Sequence, residues 1–397
     1  MMPDLRVRDL ASTKGDPIRV IELQSDELIF GFPELLEQLQ ERVRAWVDDR
    51  LEGASREEKE MLPSSREGVH RAFAACLPRV SAAVSFQRTL RMPENGRDYP
   101  LPLGLGRFSI YPVDDFPGVP QPWQERGGVM LPMHPAEALW LSFYADYPMA
   151  LRVGAGGNCA VSGQPWPPGL ESDPQNYVVL GSQPWLDGFH AGAEVVRQFV
   201  ARPMGRGVAG VHALSGEERW GGLQLQAFPL RPDEFWRHSL KLSLFSRWDE
   251  LMVPIRHRVM PDASTNANEA EWTSQTGGRI RLKILADPYG LAAWDTTRTS
   301  RCFAHLCLAE DWQRLTGIRP PQKSPTPADY REAGVPWGDF ENFRPAGESN
   351  SPLGAGTRAH VVIGAASSRG PFAVPAQAAP RSIVRLNPDL RQTVREF

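Results

Sequence analysis

Proline occupies 37 of the 397 positions of this chain, close to twice its usual share, and no other feature limits the possible folds as strongly. Each proline removes a backbone donor and fixes φ, so long uninterrupted helices and central strands are disfavoured wherever it falls. With 35 glycines beside them, these residues favour short elements joined by turns over a helical bundle. A chain of this length is long enough for two or three folding units.

Apolar spacing divides the chain. Leu35, Leu36, Leu39, Val43, Trp46 and Val47 recur at intervals of three and four, with Glu37, Gln40, Glu41 and Arg44 between them, which predicts a helix opened by Pro33 and closed by Gly53. A charged stretch at 56–60 leads to a second predicted helix over 67–76, so residues 1–98 read as a helical N-terminal region. Beyond residue 99 come short apolar runs bounded by turn residues, at 149–153, 177–180, 195–201 and 223–228. In the last, Leu223, Leu225 and Ala227 alternate with Gln224 and Gln226, the period-two pattern of a strand with one face toward solvent. Residues 231–260 fit neither period. A polar loop or linker is expected at 261–275, a strand around Ile280, Leu282 and Ile284, and two short helices after it. The second has Thr326 as N-cap, Pro327 in its first turn and Gly334 at its end. The expected fold is therefore α+β and β-rich: a β-sandwich or jelly-roll-like core over 99–260, an α/β extension over 276–343, and a low-complexity tail over 344–397.

The formal net charge of -3 gives no general attraction to nucleic acid. No apolar run reaches the roughly 18 residues of a membrane span. The first twenty residues mix charges without an apolar stretch, and Cys76, Cys159, Cys302 and Cys307 form no CxxC pair, which together favour a cytoplasmic protein with reduced thiols. The eight histidines make no HExxH or close pair, and no metal or other cofactor is expected. Gly205, Gly207 and Gly210 have GxGxxG spacing but open no helical stripe, so they read as a glycine-rich connection. Cys302 and His305 would lie on opposite faces of a strand; Cys159, in a turn, is the more exposed thiol candidate, with His190 and Asp187 as possible assistants.

The most distinctive feature is a repeated tripeptide, Gln121-Pro122-Trp123, Gln164-Pro165-Trp166 and Gln183-Pro184-Trp185, with a further Pro336-Trp337. Proline stiffens the backbone so that the following indole can either anchor a core or stand as a rigid binding platform. Trp123, Trp166, Trp185 and Trp337 are accordingly the candidate binding residues. Asp187 precedes a glycine, where its carboxylate suits a turn that accepts backbone N–H groups.

Three ordered motifs carry a resemblance. The stretch with Gln175, Tyr177, Val178, Val179, Gln183, Pro184, Trp185, Leu186, Asp187, Gly188 and Phe189, continuing through Arg197, Gln198, Phe199, Pro203 and Gly205, resembles a family of uncharacterised bacterial and fungal proteins. The same family is suggested by Asp287, Pro288, Tyr289, Gly290, Leu291, Trp294 and Asp295, and by Tyr330, Glu332, Ala333, Gly334, Pro336 and Trp337. Some fungal members carry an N-terminal ubiquitin fusion; residues 1–95 of this chain do not resemble ubiquitin. The resemblance covers about residues 130–345 and implies no activity. The leading expectation is a non-enzymatic binding or assembly protein that uses a Pro/Trp-rich surface for association with another chain or with itself. The alternative is a hydrolase whose polar groups assemble from Asp187, His190, Arg197 and Arg202.

Overall fold

The computed structural model describes residues 26–93, 104–166, 168–190, 196–201, 222–252 and 282–338 with their side chains, and five short strands at 8–9, 20–24, 99–100, 278–279 and 362–364 by backbone alone. The chain opens with strands β1 (Arg8–Asp9), β2 (Val20–Gln24) and β3 (Glu27–Gly31), then helices α1 (Glu34–Gly53), α2 (Arg56–Met61) and α3 (Arg66–Ala74). α1 and α3 match the spacing of their apolar residues, whereas α2 falls on the charged stretch at 56–60 and buries no residue. Leu35, Leu39, Val43 and Val47 form the buried stripe of α1, and Ser55 with Glu58 closes a capping box at the start of α2.

The N-terminal region also contains strands that helical spacing did not predict. The longest is β4 (Ser81–Leu90), whose small and β-branched residues form a ladder between β3 and β8 (Glu137–Ala145). After β5 (Tyr99–Pro100) and β6 (Tyr111–Pro112) come α4 (Gln121–Arg126), β7 (Val129–Met133) and β8, then β9 (Met149–Ala155), β10 (Asn158–Cys159), β11 (Val178–Leu180), β12 (Trp185–Leu186), β13 (Phe189–His190), β14 (Val196–Arg197) and β15 (Leu223–Pro229). Among the described residues the run at 195–201 enters a ladder at β14 alone, with a further bridge between Leu139 and Phe199.

Residues 232–252, unassigned by period, are helical: α5 (Pro232–Phe235) passes through a π turn (Trp236–Leu240) into α6 (Lys241–Met252). The remaining elements are β16 (Gly278–Arg279), β17 (Ser300–Leu308), α7 (Ala309–Thr316), α8 (Pro327–Glu332) and β18 (Val362–Gly364). Thr326 and Asp329 form the capping box of α8, and Gly334, at φ 69°, follows its last turn as the sequence indicated.

One sheet runs β1-β2-β3-β4-β8-β12; a second runs β10-β9-β15-β17-β7-β6, with β11 also paired to β9. Within the second sheet β17 and β7 are parallel, and β15 lies antiparallel between β9 and β17. The chain crosses from one sheet to the other between β8 and β9, where the fully buried Tyr147 donates its hydroxyl to the Leu230 carbonyl at 2.8 Å. A single apolar cluster takes in Phe30 and Phe86 of the first sheet, Leu151 and Leu225 of the second, and Leu39, Phe73 and Trp248 of the helices. Burying each such side chain contributes about 1.5–3 kcal/mol. The fold is α+β with a β-rich core, and among the described residues no sheet closes into a barrel.

Two expectations are corrected here. Gln224 and Gln226 do not face solvent: they are 0% and 2% exposed, because the second sheet is covered on both faces at β15. Leu282 and Ile284 pack on the core as their alternation suggested, yet residues 282–287 belong to no ladder, because side chains take the place of a partner strand. The GxGxxG glycines, Arg202, the polar stretch at 261–275 and, apart from β18, the tail at 344–397 lie outside the described residues.

Candidate functional site

Each Pro-Trp segment places its indole against a different chemical group. Trp123 is on α4, and its ring stacks on His305 with centroids 4.7 Å apart and planes 19° from parallel. The His305 Nε2–H donates to the carbonyl of Gly127, just past the end of α4, at 3.0 Å, which leaves Nδ1 buried without a partner among the described residues. Burial, with a smaller contribution from the charge of Arg126, depresses the imidazole from 6.5 to about 4.

Trp166 lies under Arg152, whose guanidinium carbon sits 4.0 Å from the ring centroid. Arg152 is completely buried and donates to Gln226 Oε1 at 2.9 Å. Trp185, on the edge strand β12, donates its indole N–H to Asp187 Oδ2 at 3.0 Å. Trp337 differs from these three: it is 41% exposed and meets Tyr330 edge-on at 5.0 Å.

The alternative catalytic residues share one hairpin. Phe189 pairs with Arg197 and His190 with Val196, so neighbouring positions on β13 put His190 and Arg197 on opposite faces. Gly188 permits the close approach of the two strands, since a Cβ there would stand 2.2 Å from the Arg197 carbonyl oxygen. Among the described residues no hydrogen bond or ion pair joins Asp187, His190 and Arg197. The Asp187 carboxylate accepts from an indole rather than from the backbone N–H groups expected of its turn. Burial raises its carboxyl from 3.8 to about 6, against the lowering effect of the Trp185 bond, and burial lowers the His190 imidazole.

Three glutamines of the first motif work alike. Gln175 accepts from Asp287 N–H at 3.0 Å and donates to the Leu285 carbonyl at 3.1 Å; Gln183 accepts from Leu285 N–H at 2.9 Å and donates to the Lys283 carbonyl at 3.0 Å. Gln198 does the same at the end of β4, accepting from Met92 N–H at 2.7 Å and donating to the Leu90 carbonyl at 3.2 Å. A primary amide offers one acceptor and two donors in a plane, so it can complete the pairing of a backbone segment that lacks a strand neighbour. Asp287 then ties this strap down, accepting from Tyr177 Oη at 2.6 Å, Trp294 Nε1 at 2.8 Å and Tyr289 N–H at 2.8 Å.

Sequence reasoning missed one polar region. Cross-strand register puts Arg152, Gln226 and Arg301 in one row of the second sheet, and Gly154, Gln224 and Phe303 in the next. His305 follows Phe303 on the same face and stacks near it at 6.2 Å. Both amide atoms of Gln224 are buried without a hydrogen-bond partner among the described residues. The available signal was Arg152 in the middle of the otherwise apolar run of β9.

Three of the four thiols are buried and Cys76 is half-buried. Cys159, expected to be the exposed one, is fully buried because β10 folds back on β9, and its Sγ–H donates to the Asn176 carbonyl at 3.2 Å. Cys302 and Cys307 are pushed up to about 12 by burial. Among the described residues no group of three or more His, Cys, Asp or Glu is arranged to hold a metal ion, and no helix is long and apolar enough to cross a membrane. No family model, curated protein or solved structure matches the chain.

Proposed function

We propose that this chain is a non-enzymatic binding or assembly protein that self-associates through the end of the fold carrying Trp337. The observation that carries this reading is the contrast in exposure: Trp123, Trp166 and Trp185 are half-buried on His305, Arg152 and Asp187, while Trp337 is exposed. Its base is rigid. Tyr330 is fully buried and its hydroxyl lies 2.9 Å from the Arg91 carbonyl and 2.7 Å from that of Ala136. Arg88 donates to the Lys323 carbonyl at 3.0 Å, and His134 Nε2 meets the Gln322 carbonyl at 3.0 Å. An exposed indole on a tied-down segment loses little entropy on binding, which is why such residues dominate interface energetics.

The family resemblance, carried into this proposal, divides its motifs by task. The first two build the strap at 282–295, and the third presents Trp337. The four free cysteines are compatible with a cytoplasmic setting. The hydrolase alternative draws on the raised Asp187 carboxyl, but the opposite facing of His190 and Arg197 makes binding the better-supported reading. Sedimentation equilibrium over a wide concentration range tests it: the wild-type chain is expected to associate and Trp337→Ala to remain monomeric with an unchanged melting temperature. A monomeric wild type, or equal association of the variant, overturns the reading.

A further inference from the structure

Arg50, in the last turn of α1, ends in a box of aromatic rings drawn from α1 and α6. Its guanidinium carbon lies 5.7 Å from the centroid of Trp46, 5.0 Å from that of Phe245 and 5.3 Å from that of Trp248. Trp46 stands at 86° to Phe245 and at 90° to Trp248, so the rings form walls around a centre instead of a stack. Phe73 of α3 braces the box, with its ring 5.7 Å from Trp46 and 5.8 Å from Trp248. Trp248 is buried, whereas Trp46, Phe245 and Arg50 are half-buried, so the box reaches the surface.

Arg50 is an imperfect occupant of this box. A guanidinium carries five N–H donors that ordinarily find carboxylates or carbonyls. Among the described residues Arg50 makes no ion pair, and its Nε is buried without a hydrogen-bond partner. The Glu58 carboxylate senses its charge, but that group already accepts from Ser55 N–H at 2.7 Å in the cap of α2. A second cation, Lys241 Nζ, lies 5.9 Å from the Phe245 centroid. The negative ring faces thus concentrate positive charge, but they offer no acceptor for an N–H.

We propose that the box formed by Trp46, Phe245 and Trp248 is a binding site for a trimethylammonium group, with Arg50 as a built-in occupant that the ligand displaces. A trimethylammonium cation spreads its charge over methyl groups and has no N–H to satisfy, so ring faces alone meet its needs. The long side chain of Arg50 can return its head to water when displaced, since its stem is already half-exposed. This site is independent of the Trp337 surface. The group is presented either by a free quaternary amine or by a trimethylated lysine on another protein.

Calorimetric titration of the full chain with choline, and separately with a short trimethyllysine peptide, tests the proposal, with the neutral isostere 3,3-dimethylbutanol as control. Saturable binding of the cation and not of the isostere is expected. Arg50→Met and Arg50→Gln are expected to tighten it by about tenfold, as removal of an occupant that fills the site some nine-tenths of the time would. Trp46→Leu in the same background is expected to abolish it. The tighter of the two cations identifies the source of the group. The readout is taken from whichever Arg50 variant keeps the wild-type circular dichroism. Absence of saturable binding to that variant, equal binding of the isostere, or no gain over wild type overturns the proposal.

Discussion

Trp166 and Trp337 each follow a proline, yet one lies against a completely buried guanidinium and the other stands 41% exposed beside a tyrosine. What separates them is the element beneath each ring. Trp166 is fixed by a backbone bond from its N–H to the Gly157 carbonyl at 3.0 Å, over the β9–β10 hairpin, and Arg152 of β9 lies over its ring. Trp337 follows α8, whose one buried residue is Tyr330, and its indole meets the edge of that ring while remaining exposed. The proline stiffens both segments, but the neighbouring element decides whether the stiff indole becomes an anchor or a surface.

The largest effect that can break this comparison belongs to Trp166. Trp166→Ala is expected to cost about 3 kcal/mol in chemical denaturation, at the low end for a buried tryptophan because the ring is half-exposed. A loss under about 1 kcal/mol would place Trp166 with Trp337. The imidazole under Trp123 gives an effect of similar size on acidification. His305 titrates near 4 when folded against 6.5 in an ordinary setting, so the unfolded chain binds the extra proton first. Stability is therefore lost as pH falls from 6.5 through 4, by about 3 kcal/mol in total. His305→Gln should remove that loss, and an unchanged acid dependence would contradict the buried neutral imidazole.

Asp187, beneath Trp185, has the opposite sign. Its folded carboxyl is raised from 3.8 to about 6, so the folded state holds the proton longer and stability falls as pH rises through that interval. Asp187→Asn should then stabilise the protein at pH 7 by about 1–2 kcal/mol, discounted for partial exposure, and should change nothing near pH 3. Because the two windows overlap, the same variant should unmask the full acid sensitivity due to His305. A smaller effect tests the polar sheet face. Gln224→Met removes two buried amide atoms that have no partner among the described residues and is expected to raise stability by about 1 kcal/mol, whereas a loss would mean that the amide is satisfied.

Much of the fold was legible because it rests on local rules. The α1 stripe, the Thr326 cap and the alternation of β15 each follow from residues close in sequence. The alternation of Leu225 with Gln224 and Gln226 correctly separated two faces of a strand, but it could not say that the polar face is buried, which depends on distant covering elements. Trp236, Leu240, Leu244 and Trp248 step by four, which drifts about 40° per step around an α-helix, and a π turn absorbs part of the drift. The motif glutamines were visible as residues while their work was not, since Gln175 and Gln183 pair with backbone about a hundred positions away. All four indoles could be named from the sequence; which of them faces outward depends on packing between elements far apart in the chain.

The association reading rests most directly on Trp337, and one paired measurement decides it. Melting temperature and sedimentation equilibrium are compared for wild type, Trp337→Ala and Trp337→Glu. The expected result is a stability within about 0.5 kcal/mol of wild type, as for substitutions on an exposed surface, together with loss of the concentration-dependent assembly that wild type shows. A variant that melts several degrees lower while assembling as wild type does would show Trp337 to be another core anchor and would contradict the account.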